Sequence, residues 1–199
     1  MRKFDPVKHE GKRAEILAAS ERCFVRNGFH GATIAQICDE AGISPGHLYH
    51  YFASKEAIIG AITESFLEHT RSRFAEIEED TNPITTLVSE FERLRAHNRE
   101  TGPGVLLDLL AEAGRNPAIG EILRQTSQEM RRMMADFLVK GQNRGEIDPN
   151  LDADMAAAVL ISIIDSSKTL SVRDPNLDAK RSAKTLDLMI TRFLSAPEA

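Results

Sequence analysis

The segment from Thr33 to Lys55 constrains the fold more than any other stretch, because its capping residues admit only two short helices joined by a tight turn. Thr33 with Gln36 three residues on makes a capping box, in which a hydroxyl and an amide satisfy the backbone donors left open at a helix start. Ile34, Ile37, Cys38 and Ala41 recur at helical spacing and give that helix one apolar face. Gly42 stands where the helix needs a residue that tolerates positive φ in order to stop. Ser44 is a second N-cap, and Pro45 suits the first helical position, where its missing N–H costs nothing. The spacing predicts a helix-turn-helix.

In the second helix Leu48 and Phe52 lie four apart and face inward, which leaves Pro45, Gly46, His47, Tyr49, His50 and Tyr51 over the remaining surface. A solvated helix ordinarily carries Lys, Glu or Gln there. Hydrogen-bonding rings near a helix start suit base edges and phosphates instead, and place such a helix in a DNA major groove. Taken singly, each ring is equally suited to packing on a neighbouring domain; together they favour DNA.

Thr33-Ile34-Ala35, Ala41-Gly42-Ile43-Ser44, Gly46, Leu48-Tyr49, Tyr51-Phe52 and Ser54-Lys55-Glu56 resemble the DNA-binding signature of the tetracycline-repressor (TetR) family. The resemblance covers roughly residues 10 to 60. It implies a homodimeric transcriptional regulator, expected to be a repressor, that binds palindromic double-stranded DNA and is released by a small-molecule effector. It further implies that Thr33 and Lys55 touch phosphates from helix starts and that Tyr49 and Tyr51 touch phosphates from the recognition helix. Ser44, Pro45, Gly46 and His47 then approach bases, while His50 meets either a base or a phosphate.

The chain of 199 residues suits a small head plus a helical body, and the apolar periodicity is helical throughout, with 6% aromatic residues and no alternating strand pattern. The expected fold is therefore all-α, with a helix-turn-helix DNA-binding domain over 1–54 and an effector-binding and dimerisation domain over 55–199. The net charge of −5 excludes a non-specific polycation. Its distribution is uneven: eight Lys and Arg face seven Asp and Glu up to residue 60, and 17 face 23 beyond it. Arg2, Lys3, Lys8, Lys12 and Arg13 cluster at the amino end, a pattern that also describes a solvated tail.

The predicted helices are about 11–27 with Gly28 as its stop, the Thr33 and Ser44 pair, and a longer fourth helix capped by Ser54. Ile58, Ile59, Ile62, Phe66, Phe74 and Ile77 carry that fourth helix past the head. Asn82-Pro83 and Asn116-Pro117 open two more, with a short helix between them after a break over residues 101–104, and an exit loop is expected over 141–148. Two final helices are expected at about 152–172 and 177–194. Met155, Val159 and Ile163 on one, and Leu186, Met189, Ile190 and Phe193 on the other, suit either the domain's own core or a four-helix interface with a second copy. The family resemblance favours the second copy.

Phe66, Phe91, Met130, Met134 and Phe137, with Phe74 and Met133, are candidates to line an apolar effector pocket, and methionine adapts its shape to varied guests. His69, His97 and Asp165 are polar groups in helical segments that can orient a ligand; such sets also serve as plain core and surface. Asp165 interrupts a run of Leu, Ile, Ser, Ile and Ile. No metal or cofactor is expected: His47 and His50 lack a third ligand, and Cys23 and Cys38 sit at apolar helical positions as small hydrophobes.

The sequence lacks a phosphate-cradling Gly-rich loop, a His-Glu-x-x-His pattern and a Gly-x-Ser-x-Gly turn, so an enzyme is not expected. No signal core opens the chain, and the longest apolar run is too short to span a bilayer, so a cytoplasmic protein without membrane contact is expected. The competing class is a helical adaptor that uses the head to bind protein. Sequence-specific duplex binding separates the two.

Overall fold

The computed structural model describes residues 5–77, 82–101, 104–167 and 169–196, with the backbone alone at 94–101, 104, 171 and 172. The helices are α1 (Pro6–Gly31), α2 (Ile34–Ala41), α3 (Pro45–Tyr51), α4 (Lys55–Ile77), α5 (Pro83–Thr101), α6 (Gly104–Ala113), α7 (Pro117–Asn143), α8 (Ala153–Ser167), α9 (Leu170–Arg173) and α10 (Ala179–Leu194). Among the described residues there is no strand. The chain forms two compact units, one of residues up to 66 with 104–126, the other of 67–103 with 127 onward. Helices α4 and α7 contribute residues to both.

The first unit is built on a core from α1, α2, α3, the first half of α4, α6 and the start of α7. Ile16, Phe24, Ile37, Leu48, Ile58 and Ile119 are all at most 1% exposed there. Helix α1 starts earlier than its apolar periodicity indicates. Asp5 caps it, its carboxylate accepting from the N–H groups of Val7 (3.2 Å) and Lys8 (3.3 Å), and Pro6 takes the first helical position. Gly28, the expected stop, does break the helix with φ of 68°, and one further turn follows before Ala32. A side chain at Gly28 would be strained by that φ and would place its Cβ 2.2 Å from the Asp108 carboxylate of α6. Asn116 opens α7 through bonds from the N–H groups of Ala118 and Ile119, and its amide also donates to Glu56 of α4 at 3.0 Å. Glu56 is held below the ordinary carboxylate range by its own backbone N–H, against the effect of burial and with help from Ser54 and Asn116.

The second unit has its own core, in which Leu87, Phe91, Met134, Phe137, Leu160 and Ile190 are at most 2% exposed. Phe74 of α4 meets Phe137 of α7 edge to face, with centroids 5.6 Å apart. Arg73 of α4 binds Glu90 of α5, which also accepts from Arg93 at 2.9 Å. Two expected boundaries move. The helix expected over 152–172 ends at Ser167, where Ser167 and Thr169 hydroxyls donate to the carbonyls of Ile164 (2.6 Å) and Ser166 (2.8 Å) and compete with the helical ladder. The exit loop begins after Asn143, so Gly141 is helical; a Cβ there would lie 2.5 Å from Ile147, which is 1% exposed. That glycine serves close packing.

Candidate nucleic-acid interface

The site starts from the capping chemistry. The Thr33 N–H donates to Gln36 Oε1 at 2.9 Å while the Gln36 N–H donates to Thr33 Oγ1 at 3.2 Å, so both halves of the capping box are made. At the other end of α2, Gly42 adopts φ 62° and ψ 39°, and the N–H groups of Gly42 and Ile43 bond to the carbonyls of Asp39 (3.3 Å) and Cys38 (3.0 Å). This Schellman closure reverses the chain within two residues. Ser44 Oγ then accepts from the His47 N–H at 3.3 Å, and α3 opens on Pro45.

Burial fixes how α3 is rotated. Leu48 is 0% and Phe52 4% exposed, so the helix lies on the core along that line and turns its other residues outward. Thr33, Ser44, Pro45, Gly46, His47, Tyr49 and His50 are all exposed. Tyr51 is half-buried. Its ring stacks on the His9 imidazole with centroids 4.6 Å apart and an interplanar angle of 27°, and it is also contacted by His47 at 5.5 Å and His50 at 5.4 Å. His9 lies ahead of the apolar periodicity, which begins α1 only at about residue 11. The signal for it was Asp5-Pro6, an N-cap followed by a first-position proline.

Lys55 is differently engaged from a simple phosphate contact. Its ammonium donates to the carbonyls of Phe29 (2.6 Å) and Ala32 (3.0 Å) and lies 4.4 Å from the centre of the Phe29 ring. Burial pushes its pKa below the ordinary lysine value, opposed by the carboxylates of Glu56 and Glu112. The residue thus ties the start of α4 to the α1–α2 elbow. Behind α2, Glu40 receives Arg22 Nε at 2.8 Å and also Arg26, which joins α2 to α1. Hydrogen bonds from Arg22, then Arg26, hold the Glu40 carboxyl below its usual range. Cys23 and Cys38 are buried free thiols whose pKa values are raised by burial.

Of the candidate effector residues, Phe91, Met134 and Phe137 lie in the core of the second unit, with Met130 and Asp165 half-buried. Phe66 is 42% exposed and falls in the first unit; His69 is exposed. The His97 side chain lies outside the described residues, as do Arg2 and Lys3. Among the described residues, no group of three or more His, Cys, Asp or Glu is placed to hold a metal ion, and no helix is long and apolar enough to cross a membrane.

Residues 16–62 match the family model for bacterial regulatory proteins of the tetR family, and residues 84–187 match a tetracyclin repressor-like C-terminal domain. The chain belongs to the TetR family. It is 32% identical over 151 residues to the HTH-type transcriptional regulator UidR of Escherichia coli strain K12, which covers 76% of each chain. It is 30% identical over 149 residues to the HTH-type transcriptional repressor KstR2 of Mycobacterium tuberculosis, covering 72% of this chain and 73% of that one. The solved structure of Salmonella enterica GusR superposes with a TM-score of 0.77 at 32% identity, covering 92% of this chain and 95% of the other. This TetR-family member is accordingly a DNA-binding transcriptional regulator with an N-terminal helix-turn-helix and a C-terminal helical body, the all-α class expected from its periodicity.

Proposed function

We propose that the protein is a repressor that binds a palindromic operator as a homodimer and is released by a small, largely apolar effector. Residues 1–54 do the reading, and 55–199 bind the effector and the second copy. The observation that carries the DNA part is α3, held on the core by Leu48 with its ring-bearing side exposed. Tyr49 and Tyr51 offer hydroxyls to phosphates, as Thr33 does from the start of α2. Ser44, Pro45, Gly46 and His47 approach base edges, and His50 completes the surface. Lys55 acts as a brace between helices rather than as a phosphate contact. Binding genomic DNA places the protein in the cytoplasm.

Dimerisation is supported by α8 and α10. Their core contacts are made by Ala156, Ala157 and Leu160 and by Leu186, Ile190 and Leu194, while Met155 (51%), Val159 (48%), Met189 (55%) and Phe193 (40%) remain exposed. Large apolar side chains left outside both helices suit burial against a second copy. A homodimer then presents two recognition helices roughly 34 to 36 Å apart, or a multiple, along one DNA face. The effector reading rests on Phe91, Met134 and Phe137, with half-buried Met130, an apolar set that rearranges readily because of its methionines.

Selection of duplexes from a random-sequence pool by the purified protein, followed by footprinting and sedimentation, tests the first part. An enriched palindrome protected over two half-sites by a dimer is expected. A monomer on an asymmetric site overturns it, and the absence of any sequence preference favours a protein-binding adaptor. Thermal-shift screening of small apolar molecules tests the second, since a true ligand raises melting with concentration. Effector and operator affinities must then be linked reciprocally, each weakening the other by the same factor, about 5- to 150-fold.

A further inference from the structure

Three rings contact Tyr51 among the described residues, and one of them, His9, comes from a different helix. His9 sits in the second turn of α1, where its N–H bonds to the Asp5 carbonyl at 3.0 Å, and it stacks on Tyr51 at 4.6 Å with the planes 27° apart. The same imidazole meets His50 edge-on at 6.1 Å. His47 and His50 belong to α3 itself and move with Tyr51. Tyr51 also packs against the core of the head, and His9 adds to that packing a stacked ring from a helix other than α3.

We propose that His9 is a positioning residue for DNA binding, which fixes the Tyr51 ring before DNA arrives. A side chain already held in its bound orientation loses less freedom on binding, and this preorganisation appears as affinity without adding a contact to DNA. The Asp5 cap belongs to the same device, since it starts α1 early enough to carry His9 to α3. The inference rests on the DNA-reading role of α3 proposed above and adds to it a residue outside the helix-turn-helix.

The test measures binding of the full chain to the duplex enriched from the random pool, across a range of salt concentrations. The proteins are wild type, His9→Ala, His9→Phe, Tyr51→Ala and the His9→Ala/Tyr51→Ala double variant. His9→Ala should weaken binding by about 2- to 10-fold for each head engaged, the worth of one aromatic pair, with an unchanged salt slope. His9→Phe, which keeps a stacking ring and cannot contact a phosphate as a cation, should restore wild-type affinity. In the Tyr51→Ala background, His9→Ala should have no further effect. The proposal is overturned if His9→Ala binds like wild type, or if the two losses multiply. It is equally overturned if His9→Phe is as weak as His9→Ala with a shallower salt slope, because His9 then touches a phosphate itself. A wild-type chain that enriches no duplex refutes the DNA reading; wild-type binding with an unaffected His9→Ala refutes this inference alone.

Discussion

Replacing Lys55 by Met removes the ammonium while keeping most of the stem, and so isolates the two bonds it makes to the Phe29 and Ala32 carbonyls. Charge-assisted hydrogen bonds contribute about 1.5 to 3 kcal/mol each when counted separately. The full sum does not apply here. Burial already disfavours this ammonium, as its lowered pKa shows, and Met relieves that desolvation while still packing on the Phe29 ring. The carbonyls left behind belong to Phe29 and Ala32, which are 2% and 1% exposed, so the loss of their donor offsets part of that relief. A net loss of about 2 kcal/mol follows from one charge-assisted bond surviving this partial cancellation. For a chain of this length that corresponds to a fall in melting temperature of about 4 to 8 °C. Operator affinity should fall as the α1–α2 elbow loosens, yet the slope of log affinity against log salt should stay at the wild-type value. A phosphate contact behaves otherwise, its removal lowering the slope by about 0.9 per phosphate. Unchanged melting together with a reduced slope would show that the ammonium serves DNA and that the carbonyl bonds carry no weight.

Thr33→Ala deletes the cap of α2 and should cost about 1 kcal/mol in chemical denaturation, whereas Thr33→Ser should cost less than half of that. Tyr49→Phe should weaken binding to all duplexes by about 1 kcal/mol, the worth of one hydrogen bond, while His47→Ala should change which bases are preferred in a repeated selection; uniform loss from both would contradict the division of roles. For Glu90, burial would raise the pKa but the bonds from Arg73 and Arg93 win and lower it. A carboxyl with a depressed folded pKa stabilises above its unfolded value, here 4.5, and that stability disappears as pH falls through the folded value. Melting followed downward from pH 6 should therefore decline below pH 4.5 in the wild type and decline less steeply in Glu90→Gln; parallel curves would remove Glu90 from the acid response.

The features legible from residue order alone are those whose chemistry closes within about four residues. The Thr33–Gln36 box, the left-handed Gly42, the Ser44–Pro45 start and the Asn82–Pro83 and Asn116–Pro117 starts are all of this kind. Each is a local contest between a side chain and the adjacent backbone, so residue type and spacing suffice to decide it. The start of α1 was equally local, in Asp5-Pro6, but the polar turn that follows hid it from a reading led by apolar periodicity. Tertiary structure decided whatever depends on partners distant in the chain. Lys55 finds carbonyls 23 and 26 residues away, His9 finds Tyr51, and Gly141 makes room for Ile147. It also divided the apolar residues of α8 and α10 between a core and an exposed face. Periodicity shows that a helix has an apolar side, but only packing against other helices determines which of those residues leave water.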